Sequence, residues 1–490
     1  MHFKLLVLIL LTGILVIGQD TSNTIHRRHI SLDFEELEKG EGNWLKRAAF
    51  SEPVLFIDST DFQFAFTPIW DFQAGKSGEL TTMQNTRGAL VQGQFFKKLT
   101  FASAVFENQS VVPEFINVHA NQTYVFPGGA RTKSFKDNGY DYFYATSYVN
   151  YKANKYFNAE IGHGKNFIGE GYRSLLLSDN AFNYPYIKLT SSFWKIRYTN
   201  LYAELMDIYG TGNADQLFSK KYFATHTLDF DVTKWLTLGV FETVVWGQRG
   251  FELNYINPII FFRAVEFSVG SPDNVMMGLN LKANPIENVT IYGQVILDEF
   301  LLGEIKAQSG WWANKYGGQF GVKAHDLFGI ENLFIRGEYN IVRPFTYTHA
   351  DRINNYGHYN YSLAHPLGAN FKETVGQLGY QFKNIYADVK LTSANYGTDS
   401  LNAVLTNGGD IFRSYNDHAN EYGNFIGQGI SNQLNTVAFK IGYIINPSIK
   451  MRAEVSLFRR SHTILGETTT QNWISFGFKS MLPSRYFDFL

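Results

Sequence analysis

The chain has 490 residues, a formal net charge of −1 and no cysteine, so it has no charge excess to gather nucleic acid and no means of forming a disulfide. Aromatic residues make up 16% of it, with 43 Phe, 29 Tyr and 43 Gly, a composition rich in strand formers. After Ile17 no apolar run approaches the ~18 residues that a membrane-crossing helix needs.

Taken in chain order, Lys4 is followed by LLVLILLTGILVI and then Gly18-Gln19-Asp20, the form of a secretory signal, expected over residues 1–18. With no cysteine at the cleavage point, no lipid can be attached there. Residues 19–60, including ISLDFEELEKGEGNWLKRAAF, run from acidic to basic and are expected to form a short, partly helical periplasmic segment. From 61 to 490 the dominant pattern is alternation with period two, the mark of strands with two unlike faces. Ile385, Ala387, Val389 and Leu391 alternate with Tyr386, Asp388, Lys390 and Thr392; Met451, Ala453 and Val455 alternate with Arg452, Glu454 and Ser456.

Alternation alone fits a soluble sandwich or a membrane barrel, and the connections separate the two. Tight turns are expected near Lys97-Lys98, Asn154-Lys155, Thr199-Asn200, Thr233-Lys234, Asn284-Pro285, Glu331-Asn332, Lys383-Asn384 and Asn446-Pro447. Longer polar connections are expected over 73–86, 109–140, 164–186, 210–221, 247–272, 300–316, 342–372, 396–434 and 461–470. Eight turns alternating with nine loops join eighteen strands, and short turns on one side with long loops on the other are the habit of outer-membrane barrels. The expected fold is therefore all-β: a closed transmembrane antiparallel barrel of about 18 strands, with long extracellular loops partly filling the lumen. Making Pro258 to Val269 a strand would reverse the parity of every later turn, so 247–272 is expected to fold inward or cap the mouth.

Three stretches invite a chemical reading. HADRINNYGHYNYSLAHP holds His349, His358, His365 and Asp351, at spacings that match neither the helical nor the strand pairing of metal ligands, so it reads as a polar loop. Ser178 with His163, or Ser362 with His365, lack a nucleophile elbow and leave no catalytic residue to name. GHGKNFIGEGYR has glycines at 162, 164, 169 and 171 beside Lys165, but not the spacing of a phosphate loop; the glycines suit a bending strand end that packs closely. No pattern implies a cofactor. Inward charges of both signs, Arg336, Glu338, Asp388, Lys390, Lys450, Arg452 and Glu454, suit an ion-paired filling better than an open pore. Loops rich in Tyr, Asn, Asp and Gly suit sugars, whose apolar faces stack on rings and whose hydroxyls need amide and carboxylate partners.

GYRSLLLSDNAFNYPYIKL, YINPIIFFRAVEFSVGSPDNVMMGLNLKA, YGQVILDEF, GEYNIVRPFTYTH and HYNYSLAHPLGANFKE, read together, resemble the Wzi-like outer-membrane barrels of Bacteroidota, including the RemB type. The resemblance implies an eighteen-stranded, non-enzymatic barrel in the cell outer membrane, tied to capsular polysaccharide attachment or to surface gliding. The partners it implies are membrane lipid, surface polysaccharide and gliding or secretion machinery; a porin-like channel is the alternative. Carried onto this sequence, it marks Arg173, Asp179, Asn180, Arg263, Glu266, Asp273, Asn274, Asp298, Glu299, Arg343, His358, Asn360, His365 and Asn370 as ligand-binding or loop-fastening positions.

Overall fold

Eighteen segments of alternating residues pair edge to edge in a computed structural model that describes residues 40–136, 138–212 and 214–490. They are β1 (Phe62–Ser77), β2 (Leu80–Phe95), β3 (Leu99–Val111), β4 (Gly139–Lys152), β5 (Phe157–Gly164), β6 (Tyr184–Phe193), β7 (Ile196–Asp207), β8 (Ser219–Asp231) and β9 (Leu236–Gly247). The circuit continues through β10 (Asn274–Ile286), β11 (Val289–Glu299), β12 (Lys315–His325), β13 (Leu333–Val342), β14 (Phe371–Phe382), β15 (Ile385–Thr398), β16 (Ile430–Asn446), β17 (Met451–Ile464) and β18 (Glu467–Lys479). Each strand is antiparallel to its predecessor, and β18 returns to β1 from Asp71↔Lys479 to Ser77↔Trp473, so the barrel closes with no free edge.

The two faces divide as the alternation demands. On β15 Ile385 and Leu391 point outward and stay half exposed, while Tyr386, Asp388 and Thr392 point inward and are buried. Exposed aromatics, among them Phe96, Phe157, Trp194, Trp235, Phe328 and Phe382, gather at the end that carries the short turns, as the aromatic girdle of a membrane barrel does. Among the described residues no helix is long and apolar enough to cross a membrane.

The parity of the connections is the expected one, with four differences of position. The connections expected over 73–86 and 461–470 are two-residue hairpins at 78–79 and 465–466. Both stretches are mostly polar and small residues, QAGKSGELTTMQNT and SHTILGETTT, so the alternation fades before the strands end. The turn expected at Thr199-Asn200 lies at Trp194-Lys195, and the one expected at Asn284-Pro285 lies at 287–288; Pro285 sits in a bulge where the β10–β11 register shifts, which spares the ladder its missing N–H. The last strand stops at Lys479, and 480–490 turns back into the lumen.

The signal expected at 1–18, and most of the 19–60 segment, lie outside the described residues. From residue 40 onward the chain forms a short helix, Trp44–Phe50, capped by the Asn43 side chain, and a strand, Leu55–Asp58, added to the start of β1. Asn446 Nδ2 donates to the carbonyls of Ala48 and Glu52, tying the helix beneath the β16–β17 turn.

Candidate functional site

The lumen is filled from both ends, and a buried ionic node joins the pieces. The connection 165–183 dips inward carrying Leu175, Leu176 and Leu177, all fully buried. Gly169 adopts φ +117, and a Cβ there would lie 2.2 Å from Gln294 Nε2; at Gly171 it would meet Arg173 O and Glu338 Oε2 at 2.6 Å, so these glycines serve close approach to the wall. Lys165, the residue that gave GHGKNFIGEGYR its phosphate-loop look, donates to the carbonyls of Gly128 and Asp179, and burial lowers it to about 8.

Arg173 lies 2% exposed between the rings of Tyr172 and Tyr486. Its Nη2 is 3.0 Å from Glu373 Oε1 and 2.9 Å from Asp488 Oδ1, while its backbone N–H donates to Glu338. Asp488 also accepts from Lys390 at 2.8 Å and from the Tyr172 hydroxyl at 2.7 Å; against the cost of burial, the Arg173 charge first and then these two partners hold its carboxyl well below the usual range. Glu373 takes His365 Nε2 at 2.6 Å and Asn340 Nδ2 at 3.1 Å. Removing any one of these charges would leave its partners buried in a low dielectric. Asp488, brought up by segment 480–490, has no motif that points to it; the mixed inward charges, among them Glu338 and Lys390, were the only signal.

The three histidines of HADRINNYGHYNYSLAHP turn to three different partners. His365 joins the node. His358 Nδ1 accepts from Met206 N–H and Nε2 lies 3.2 Å from Asn183 O, a neutral arrangement in which burial lowers the imidazole to about 3. His349 Nδ1 accepts from Asp351 N–H within its own turn. The remaining inward candidates also fasten loops. Asp179 accepts from Tyr486, and Asn180 donates to Ser362 O. Asp298 bonds Lys315 and the Tyr347 N–H, and Glu299 lies 3.3 Å from Lys315. Arg343 donates to Asn314 O and Trp311 O, Asn360 to Thr123 O, and Asn370 to Gly397 O and Gln428 O. Ser178 Oγ donates to Ala364 O, and Ser362 Oγ accepts from Ala364 N–H, so both hydroxyls are engaged with backbone.

The segment expected to fold inward or cap the mouth, 247–272, lies instead against the outside of the wall. It does not cross the membrane, but its helix, Phe262–Ser268, packs on the outer face of the wall against Tyr202, Ala224, Val244, Trp246 and Val275. Those side chains stand on the faces of β7 to β10 that alternate with the lumen-facing Phe223 and Phe241. Arg263 pairs with Glu266 at 3.1 Å and fastens this outer flap, while 343–370 lies on the other side of the wall. Asp273 accepts from Arg249 and Tyr255 at the flap's base, and Asn274 donates inward to Asn354 O.

At the mouth, connections 300–314 and 399–429 build a cluster that the sequence did not single out. Trp311 Nε1 donates to Glu421 at 2.8 Å, and Trp312 stacks on His418 at 4.6 Å and leans on Tyr415. Aromatic faces beside a solvent-reached carboxylate are the equipment for holding a sugar. These residues are far apart in sequence, with no spacing to bring them together in a reading of one strand at a time.

Against known proteins, the profile of the family described as "Capsule assembly protein Wzi" matches residues 82–473. Among solved structures, that of Wzi from Escherichia coli, described as an outer-membrane protein involved in group 1 capsule assembly and a carbohydrate-binding β-barrel, aligns at TM-score 0.53 and 14% identity, covering 87% of this chain and 85% of that one. OprD of Pseudomonas aeruginosa aligns at TM-score 0.44 and 10% identity, over 89% of this chain and 96% of that one. OccK1 of the same organism aligns at 0.43 and 8%, over 87% and 99%. No curated protein matches the chain.

Proposed function

The chain belongs to the capsule assembly protein Wzi family and is an outer-membrane protein, and from that premise we propose that it is a non-enzymatic barrel that holds surface polysaccharide at its mouth during capsule assembly. The observation that carries the reading is the occupied lumen: connections 165–183 and 343–370 and segment 480–490 converge on Arg173 and fill the space around it. A barrel closed in this way works through its outer surface. The Trp311, Trp312, Tyr415 and Glu421 cluster is the part of that surface best equipped for a sugar. Residues 1–18 direct export, and 19–60 stand in the periplasm. The candidate residues of the sequence act as loop fasteners that present this surface.

The test is binding of the nanodisc-held barrel to polysaccharide extracted from its own cells. Saturable binding that weakens at least several-fold in Trp311→Ala and Glu421→Gln supports the reading; binding that both variants retain in full removes the cluster from it. A second reading, an RemB-type subunit of a gliding or secretion assembly in a member of the Bacteroidota, is favoured by one feature. Leu401 and Val404 are 92% and 83% exposed on connection 399–429, more bare apolar surface than a sugar site needs. Co-purification of envelope proteins, lost in Leu401→Ser/Val404→Ser, would move the weight to that reading.

A further inference from the structure

The outer flap hides something a lipid-facing wall should not have. Asn200, His226 and Glu242 stand side by side on β7, β8 and β9, in register as Asn200↔His226↔Glu242, all pointing outward and all less than a tenth exposed. Asn200 Oδ1 and His226 Nε2 have no hydrogen-bond partner. The same register row continues to bare apolar residues on either side, Leu189 on β6 and Met277 on β10. The next row toward the short turns, Leu228, Val240, Leu279 and Val295, is exposed and apolar throughout. The polar row therefore lies at the depth of the hydrocarbon, where an uncovered polar group costs several kcal/mol.

What covers it is the flap. Phe262 lies over the His226 ring with centroids 4.0 Å apart, and the Arg263 N–H donates to Glu242 Oε1 at 3.1 Å. With Phe262, Val265 and Glu266 turned to the wall, the flap's other face carries Leu253, Ile259, Phe261 and Phe267, each more than 70% exposed. In water that face would be costly; beside Leu189 and Met277 it restores the apolar band where the polar row interrupts it.

We infer that residues 251–269 form a membrane-embedded flap whose Leu253, Ile259, Phe261 and Phe267 dock against the acyl chains of the outer leaflet while its inner face shields the Asn200–His226–Glu242 row from them. The occupant is lipid hydrocarbon, fixed by the depth of the flanking rows. At the flap, lipid thus meets a loop in place of a strand.

The chain has no cysteine, so single spin labels can be placed without background. Ile259→Cys and Phe267→Cys replace side chains 80% and 78% exposed and disturb little packing. Leu279→Cys serves as the bare-wall reference and Val404→Cys as the aqueous one. In phosphatidylcholine nanodiscs, the ratio of collision rates with oxygen, which concentrates in lipid, to those with a nickel chelate, which stays in water, is read at each site. The expected result is a ratio at 259 and 267 that matches 279 and exceeds 404 several-fold. A ratio equal to that at 404 places the flap in water and overturns the inference. Exclusion of both reagents, which a protein partner or second copy seated on the flap would cause, overturns it as well.

Discussion

Connections 248–273 and 343–370 leave the same end of the barrel and fold to opposite sides of its wall. The inward one is rich in His, Asn and Tyr, and its polar groups find partners in the lumen: His365 on Glu373, His358 on Met206 and Asn183, Asn370 on Gly397 and Gln428. The outward one is held by rings, with Phe262 on His226 and Tyr255 against Trp246, and shows apolar side chains to its surroundings. The solvent on each side of the wall selects which loop can go there. A polar loop laid on the lipid face would strand its amides in hydrocarbon, and an apolar loop in the charged lumen would leave the lumen's ions without partners.

That comparison can be broken in several ways. The largest expected effect is at the node: Arg173→Met leaves Glu373 and Asp488 buried without their shared cation and should cost about 3–5 kcal/mol in unfolding free energy, read from the urea midpoint in detergent. Arg173→Lys should recover part of it. A Met variant as stable as the parent would mean that ions do not hold the inward loop. Next, Phe262→Ala should cost about 3 kcal/mol, but only from the flap's own closure. Limited proteolysis should then cut within 248–273 while the urea midpoint of the barrel stays put; a fall in that midpoint would show the flap to be part of the barrel's cooperative unit.

The pH effect is smaller. Burial lowers His358 to about 3 and His119 to about 4, so both stay neutral in the folded protein, whereas an unfolded imidazole titrates near 6.5. Their contribution is whole above pH 6.5 and is lost as pH falls from there toward the folded values. At pH 5 each should cost about 2 kcal/mol relative to pH 7.5. His119→Gln should flatten the slope of the urea midpoint against pH in this range; an unchanged slope would mean this imidazole is not what the acid titrates. The smallest effect is expected outside both loops. The Arg197–Asp229 pair lies 2.8 Å apart near a short turn with its arginine 45% exposed, and Arg197→Ala should change stability by about 0–1 kcal/mol.

Much of this fold was legible in the sequence because a membrane barrel separates its two solvents residue by residue. The alternation marks the strands, the count of short turns against long loops gives their number and parity, and the mixed signs of the inward charges give the ion-paired filling. The misplaced turn at Thr199-Asn200 has the same origin as the flap: Asn200 is a polar residue on the lipid-facing side, so it reads as the end of a strand until something is known to cover it. Segment 480–490 carries no turn signal that sets it apart from the barrel expected over 61–490, and only the partner charge of Arg173 shows Asp488 to face inward. Among the candidate residues, types and loops were legible, but partners were not. Arg263 and Arg173 look alike in sequence, yet one sits outside the wall and the other at the centre of the lumen.

The most direct test of the account is the conductance of the intact barrel in a planar bilayer, with Arg173→Met beside it. Ligand held outside a closed lumen predicts no steady current from the parent and intermittent openings from the variant as the inward loops loosen. A steady ohmic current through the parent would contradict it, and would make the lumen a path for solutes.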